Sequence, residues 1–180
     1  MVTDDAREPD AGAGPARAEW TIRYDVVRVS DLPIPNEIRS PACMLGPGAW
    51  LRRRAQRHVA WLRRPLRPRD CCWHHQVNWP VAAEIAVRLG RRAQSAGLHD
   101  GDQIEEYILE RLAGEALGEL EHDGLLALVG DGAGIMLNDD PDPQWLYVEG
   151  QHRVAAHLDQ GVRETVVQRL EQLDPGRLSR

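Results

Sequence analysis

A strand, a glycine turn and a helix are predicted to follow one another within residues 146–161, LYVEGQHRVAAHLDQG. The first backbone N–H groups of a helix lack partners inside the helix and lie at the positive end of its dipole, so they can bind an anion. Gly150 permits a sharp turn, and Arg153 adds a planar set of donors suited to phosphate oxygens. The segment therefore predicts a phosphate-binding corner. The same spacing also allows a purely structural role, in which Arg153 pairs with Glu149 or another acid.

The rest of the chain shows the periodicities of both strands and helices. Strict alternation over residues 20–26 predicts a half-buried strand. Apolar spacing predicts one helix that starts after Asn78 and ends at Gly97, and a second that starts with a capping box at Asp102 and ends at Gly124. Further predicted elements are strands at 125–129 (or a continuation of the helix), 134–137, 145–148 and 164–168, and a helix at 151–160. This order predicts an α+β fold with a small mixed sheet.

The length of 180 residues favours one compact domain. We predict a disordered N-terminal tail at 1–19, a single domain at 20–170 and a C-terminal tail at 171–180. An insertion at about 40–79 is rich in Arg and Trp, with a helix at 49–64 that Pro65 stops. No apolar run is long enough to span a bilayer and no signal peptide is evident, so we expect a cytoplasmic protein with no membrane partner.

The formal net charge of −6 hides an uneven distribution of arginine. All 22 basic residues are Arg, and eight of them lie within residues 51–70 beside one acid, so this segment carries +7. Such a segment can bind DNA or RNA through phosphates. Alternatively, its arginines form a solvated helix face that pairs with the acidic remainder of the chain. The candidate nucleic-acid contacts are Arg52, Arg53, Arg54, Arg57, Arg63 and Arg64.

Three cysteines, an odd number with two of them adjacent, fit a reducing compartment rather than a disulfide framework. Cys71, Cys72, His74 and His75 lie within five residues of one another. Adjacent ligands rarely reach the same tetrahedral centre, so no metal site is predicted. We expect instead a partly buried segment in which Trp73 packs and the histidines form hydrogen bonds.

The segment VEGQHRVAAHLDQG resembles the G-x-[HR]-R-x-x-A-x-x-x-x-G signature of the ParB and sulfiredoxin superfamily. The matching positions are Gly150, His152, Arg153, Ala156 and Gly161. Residues 24–39, YDVVRVSDLPIPNEIR, are similar to the family's first strand and its proline-containing turn ending in Arg. The resemblance covers about residues 22–39 and 120–168. The reactive cysteine of sulfiredoxins is replaced by Gln151, which argues against sulfur reduction.

The resemblance implies a ParB/sulfiredoxin-like fold whose signature loop binds a nucleoside triphosphate with Mg²⁺. The residues that would line the phosphates are Gly150, Gln151, His152 and Arg153, with Arg39 nearby. Hydrolysis or phosphoryl transfer at this loop would use Glu149 or His152 as acid or base. The alternative function is a nucleic-acid-associated binding or regulatory protein that uses residues 51–70 without catalysis. The sequence does not decide between an enzyme and a binding protein.

Overall fold

The structure is a computed structural model that describes residues 20–35, 38, 40–45, 47–58, 68–130, 134–137 and 147–172. The predicted N-terminal tail at 1–19 lies outside the described residues. Most of the predicted C-terminal tail, residues 173–180, does so as well. The predicted insertion at about 40–79 is described in part.

Four strands form one mixed sheet, in the order β1, β4, β2, β3. The strands are β1 (Trp20–Arg28), β2 (Met136–Leu137), β3 (Tyr147–Glu149) and β4 (Glu164–Gln172). β1 and β4 pair antiparallel along their whole length, with Trp20 opposite Gln172 and Arg28 opposite Glu164. β2 is parallel to β4 and antiparallel to β3. The sheet and its helices confirm the predicted α+β class.

The helices are α1 (Pro47–His58), α2 (Trp73–Gln76), α3 (Trp79–Ser95), α4 (Gly101–Leu112), α5 (Glu119–Val129) and α6 (Gln151–Gln160). The central helix α3 contacts α4, α5, α6, β1 and β4. Trp79, Ala86 and Leu89 on α3 are almost entirely removed from solvent, so this helix supplies much of the core. Among the described residues, no helix combines the length and apolar character needed to cross a membrane.

Two sequence expectations between residues 100 and 137 are corrected by the structure. The helix predicted to run to Gly124 is interrupted, because α4 ends at Leu112. The N-cap of α4 is Asp100 and not Asp102, since the Asp100 side chain accepts hydrogen bonds from the amides of residues 102 and 103. Gly124 lies inside α5, where a Cβ atom would come within 2.5 Å of Val77 Cγ1. The glycine therefore permits close helix packing and does not end the helix. Residues 125–129 belong to α5, which confirms the helical alternative for this run and shows that the strand alternative is wrong.

A buried polar cluster joins the end of α5 to the sheet. The Tyr24 hydroxyl on β1 donates a hydrogen bond to the Val129 carbonyl. Gln168 on β4 donates from its Nε2 atom to the Tyr24 hydroxyl at 2.9 Å and to the Gly130 carbonyl at 3.1 Å. The Gln168 backbone N–H donates to the Ile135 carbonyl at 2.8 Å. These bonds fix the start of β2 beside β4, and β2 in turn positions the entry to α6.

Candidate functional site

The entry to α6 is formed by Gly150, which adopts a left-handed backbone conformation with φ of +90°. A Cβ atom at this position would lie 2.7 Å from Ile135 Cα and 2.9 Å from the Gly134 carbonyl oxygen. Glycine is therefore required twice, by its φ angle and by the close approach of another backbone. The sharp strand-to-helix turn expected from the sequence is present, and the start of β2 packs directly against it.

Arg153 lies in the first turn of α6 and is largely withdrawn from solvent, with 15% of its side chain exposed. Its Nη1 atom is 3.9 Å from Glu149 Oε1 and donates a hydrogen bond to the Gly134 carbonyl at 3.4 Å. Its buried Nε atom has no hydrogen-bond partner among the described residues. Burial lowers the pKa of the Arg153 guanidinium, and the charge of Glu149 opposes that shift. The ion pair with Glu149 thus compensates the buried charge only in part.

His152, the neighbouring residue, connects α6 with the segment before α1 and with α2. Its Nε2 atom donates a hydrogen bond to the Ser40 carbonyl. Its ring stacks on that of His74, with centroids 5.2 Å apart and planes 12° from parallel. Burial lowers the pKa of His74 to about 4, and the charges of His152 and Arg153 contribute in the same direction. The charge of Arg153 thus adds to burial in disfavouring protonation of His74.

The structure brings most of the predicted phosphate-binding residues together. Glu149 ends β3, Gly150 forms the turn, and Gln151, His152 and Arg153 make up the first turn of α6. Arg39 lies outside the described residues, although the carbonyl of the next residue, Ser40, contacts His152.

The arginines predicted to contact nucleic acid have different environments. Arg53 on α1 is 3% exposed and donates two hydrogen bonds to the Asp159 carboxylate on α6, at 3.1 and 2.9 Å. Arg52 donates to the same carboxylate at 2.9 Å. The expectation of a surface phosphate contact is therefore corrected for Arg53, because its charge is used inside the molecule. Arg54 is exposed, with its guanidinium carbon 5.2 Å from the centroid of the Trp50 ring. The side chains of Arg57, Arg63 and Arg64 lie outside the described residues.

The cysteine- and histidine-rich segment converges with a third cysteine from a distant part of the chain. The ligand atoms of Cys43, Cys71, Cys72 and His75 all lie within 4.8 Å of one another. A short 3₁₀ turn at Ala42–Met44 brings Cys43 to the cluster, and the spacing within residues 71–75 gives no sign of this contact. The sequence signal that could have found it is that three cysteines and one histidine make up a complete four-ligand set. As expected, His75 is buried and Trp73 packs against the core.

A cavity of about 590 Å³ lies at the opposite end of α6, beside Gly161. Its lining is rich in arginine and also contains two acids, and the charged members are Arg88, Arg91, Arg92, Arg163, Glu84 and Glu164. Arg91 pairs with Glu164 at 2.8 Å, so part of this charge is internally compensated. The cavity is separate from the glycine turn at Gly150.

Comparison of the chain with protein-family models, with curated proteins and with solved structures finds no match in any of the three. The resemblance to the ParB and sulfiredoxin superfamily therefore stays a prediction.

Proposed function

We propose that the N terminus of α6 binds the phosphates of a nucleoside triphosphate, taken up with its Mg²⁺. The observation that supports this is the environment of Arg153, a largely buried cation at the positive end of a helix dipole. A cation at this end of a helix is unfavourable, and burying a charge is costly unless it is paired. The ion-pair partner of Arg153 within the described residues is Glu149, at 3.9 Å and 58% exposed. A bound phosphate supplies the negative charge that this arrangement lacks.

The reaction class that fits this loop is hydrolysis or transfer of the terminal phosphoryl group. Backbone N–H groups at the start of α6 and the Arg153 guanidinium would hold phosphate oxygens. Glu149 is exposed next to the loop, where a carboxylate can accept a proton from water or from a substrate hydroxyl. His152, one residue from Arg153, is the second candidate for this proton transfer.

Calorimetric titration with ATP, CTP and GTP, each with Mg²⁺, tests the proposal. The Arg153→Ala variant is compared with Arg163→Ala, which removes an exposed arginine from the cavity at the other end of α6. We expect the wild type and Arg163→Ala to bind one nucleotide equally, and Arg153→Ala to bind it roughly 10- to 100-fold more weakly, the value of a charge-assisted hydrogen bond. Circular dichroism verifies that both variants are folded.

Two results would contradict the proposal. The first is absence of binding by the wild-type chain to any of the three nucleotides. The second is loss of binding in Arg163→Ala but not in Arg153→Ala, which would place the nucleotide in the cavity. Where binding is found, phosphate release by the Glu149→Gln and His152→Ala variants identifies which residue transfers the proton.

Nucleic-acid binding by residues 51–70 is the second candidate function, favoured by exposed Arg54 within this segment and by the exposed ring of Trp50 just before it. Arginine can contact phosphates, and an exposed aromatic ring can stack on bases. With a single-stranded oligonucleotide, the logarithm of the binding constant should fall linearly with the logarithm of salt concentration. A flat salt response, or binding unchanged in the double variant Trp50→Ala with Arg54→Ala, would exclude this function.

A further inference from the structure

Four side chains with metal-ligating atoms meet at the contact between the insertion and α6. Cys43 comes from the 3₁₀ turn Ala42–Met44, Cys71 and Cys72 precede α2, and His75 lies on α2. Cys43 Sγ is 3.4 Å from Cys72 Sγ. His75 Nδ1 is 3.3 Å from Cys71 Sγ and 3.4 Å from Cys72 Sγ. The sulfur atoms of all three cysteines thus lie within 4.8 Å of a ring nitrogen of His75.

The composition and the spacing of this cluster match a tetrahedral zinc centre. Three thiolates and one imidazole form one of the standard structural zinc ligand sets. With a zinc–sulfur distance of about 2.3 Å, neighbouring ligand atoms in a tetrahedron are separated by about 3.5–3.8 Å. The ligand atoms here lie from 3.3 Å to at most 4.8 Å apart, so shifts of about 1 Å or less per atom bring them to this geometry.

The orientation of His75 is set by a carboxylate behind it. His75 Nε2 is 3.2 Å from Asp159 Oδ2, and both side chains are almost wholly buried. The same nitrogen lies 3.3 Å from Nη2 of Arg69, which can only donate a hydrogen bond. An ionised carboxylate only accepts hydrogen bonds, so the contact with Asp159 favours the imidazole tautomer with hydrogen on Nε2. The lone pair of Nδ1 then faces the sulfur atoms. A carboxylate that holds the distal nitrogen of a ligating histidine is the usual outer-shell arrangement of zinc sites.

Asp159 is itself held in place by the arginines of α1. Arg53 binds both of its oxygens, and Arg52 binds one of them. Arg53 also donates to the Met44 carbonyl at 3.0 Å, next to Cys43 in the chain. One side chain therefore fixes both the carboxylate behind His75 and the turn that carries Cys43. This network positions ligands from two separate segments before any ion is bound.

We propose that Cys43, Cys71, Cys72 and His75 bind one zinc ion. Four protein ligands fill a tetrahedral centre and leave no position for water or substrate, so the site is structural. Its role is to fasten the 3₁₀ turn at Ala42–Met44 and α2 to each other beside α6. Asp159 and Arg53 act as positioning residues, because they reach the ion through His75 and through the Met44 backbone.

Metal analysis of the 180-residue chain, purified under reducing conditions without chelator, tests this site. We expect one zinc per chain in the wild type, and loss of that zinc in Cys43→Ser and in His75→Gln. The matched control is His74→Gln, because His74 is adjacent in sequence but directs its ring to His152. This control variant should keep one zinc per chain.

A second measurement does not depend on the variants folding. The wild-type chain is stripped with a chelator and titrated with Co²⁺, which reports tetrahedral thiolate ligation by a charge-transfer band in the near ultraviolet and intense visible bands. We expect saturation at one Co²⁺ per chain and bleaching of these bands when zinc is added. The proposal would be overturned if the wild-type protein contains no zinc and its stripped form gives no tetrahedral spectrum with Co²⁺. A disulfide between Cys43 and Cys72 in the freshly isolated chain, found by mass spectrometry after alkylation, would overturn it as well.

Discussion

Asp159 Oδ2 accepts a hydrogen bond from Arg53 Nη2 at 2.9 Å, and this contact joins two residues 106 positions apart in the chain. The Asp159 side chain is fully buried, and that of Arg53 is 4% exposed. A buried ion pair of this kind contributes less than its distance suggests, because desolvation opposes the attraction. Removal of one partner is costly, since the remaining charge is left unpaired in the interior.

The Asp159→Asn substitution should therefore destabilise the fold strongly. It leaves Arg52 and Arg53 without their carboxylate, and we expect the free energy of unfolding to fall by about 3–5 kcal/mol. Urea denaturation in excess chelator measures this change in the free energy of unfolding without any contribution from a metal. The control is Asp25→Asn, which breaks a partly exposed pair with Arg169 and should cost less than about 1 kcal/mol. Equal losses in the two variants would contradict the buried-pair account.

The buried Tyr24 hydroxyl should contribute measurably to stability. In Tyr24→Phe, the Val129 carbonyl loses its donor and Gln168 Nε2 loses one of its two acceptors. An unsatisfied buried polar group costs about 1–3 kcal/mol, and this is the loss we expect in the free energy of unfolding. Tyr107→Phe is the control, since the Tyr107 ring is partly exposed beneath the Arg111 guanidinium. A loss below about 0.5 kcal/mol in Tyr24→Phe would show that the hydroxyl network is not stabilising.

Alanine substitutions at two glycines with positive φ distinguish the cost of backbone strain from the cost of a steric clash. Gly97 and Gly150 have φ of +84° and +90°, so alanine is strained at both positions by about 1–2 kcal/mol. A Cβ at residue 97 meets nothing within 4 Å, whereas a Cβ at residue 150 collides with the Gly134–Ile135 backbone. We expect Gly150→Ala to lower the thermal midpoint by several degrees more than Gly97→Ala. Similar midpoints for the two variants would mean that the α6 entry relaxes freely away from β2.

His157 should make the fold sensitive to mild acid. It is fully buried, its Nε2 atom lies 3.1 Å from Thr165 Oγ1, and burial lowers its pKa from 6.5 to about 3. The unfolded chain therefore takes up this proton first, so the contribution of His157 is complete above pH 6.5 and is lost as pH falls from 6.5 towards 3. By pH 4.5 the loss is on the order of 3 kcal/mol.

Urea denaturation of the wild type and of His157→Gln between pH 7 and 4.5 measures this effect. Glutamine has similar size and keeps a polar atom near Thr165, but it does not titrate. We expect the stability of the variant to depend less steeply on pH, so that the difference between the two proteins narrows as pH falls. Parallel curves for the two proteins would show that His157 does not carry this dependence.

Local patterns in the sequence were sufficient for most elements and for the shape of the α6 entry. Alternating residues predicted β1, apolar spacing and Asn78 predicted α3, and two glycines bounded α6. The run Leu125–Val129 was ambiguous because a short apolar segment satisfies either a strand or a buried helix. Its burial against α3 and the packing of Gly124 on Val77 favour the helix, and neither contact is visible in the sequence.

Contacts between distant residues account for what local patterns missed at the candidate sites. The adjacency of Cys71 and Cys72 argues against a shared metal centre, and the sequence gives no sign that their ligand atoms lie within 4.8 Å of those of Cys43 and His75. Arg53 belongs to a basic segment, yet its side chain is buried because it pairs with the carboxylate of Asp159. In both cases the decisive partner lies in a distant segment, and its proximity depends on how α1, α2 and α6 pack.

The burial of the pair formed by Arg53 and Asp159 has a practical consequence for experiments at different ionic strengths. Dissolved ions screen charges at the surface but reach desolvated pairs poorly. High salt should therefore release any partner held by Arg54 while α1 stays attached to α6. Measurements of binding and of folding over a series of salt concentrations thus distinguish the role of exposed Arg54 from that of buried Arg53.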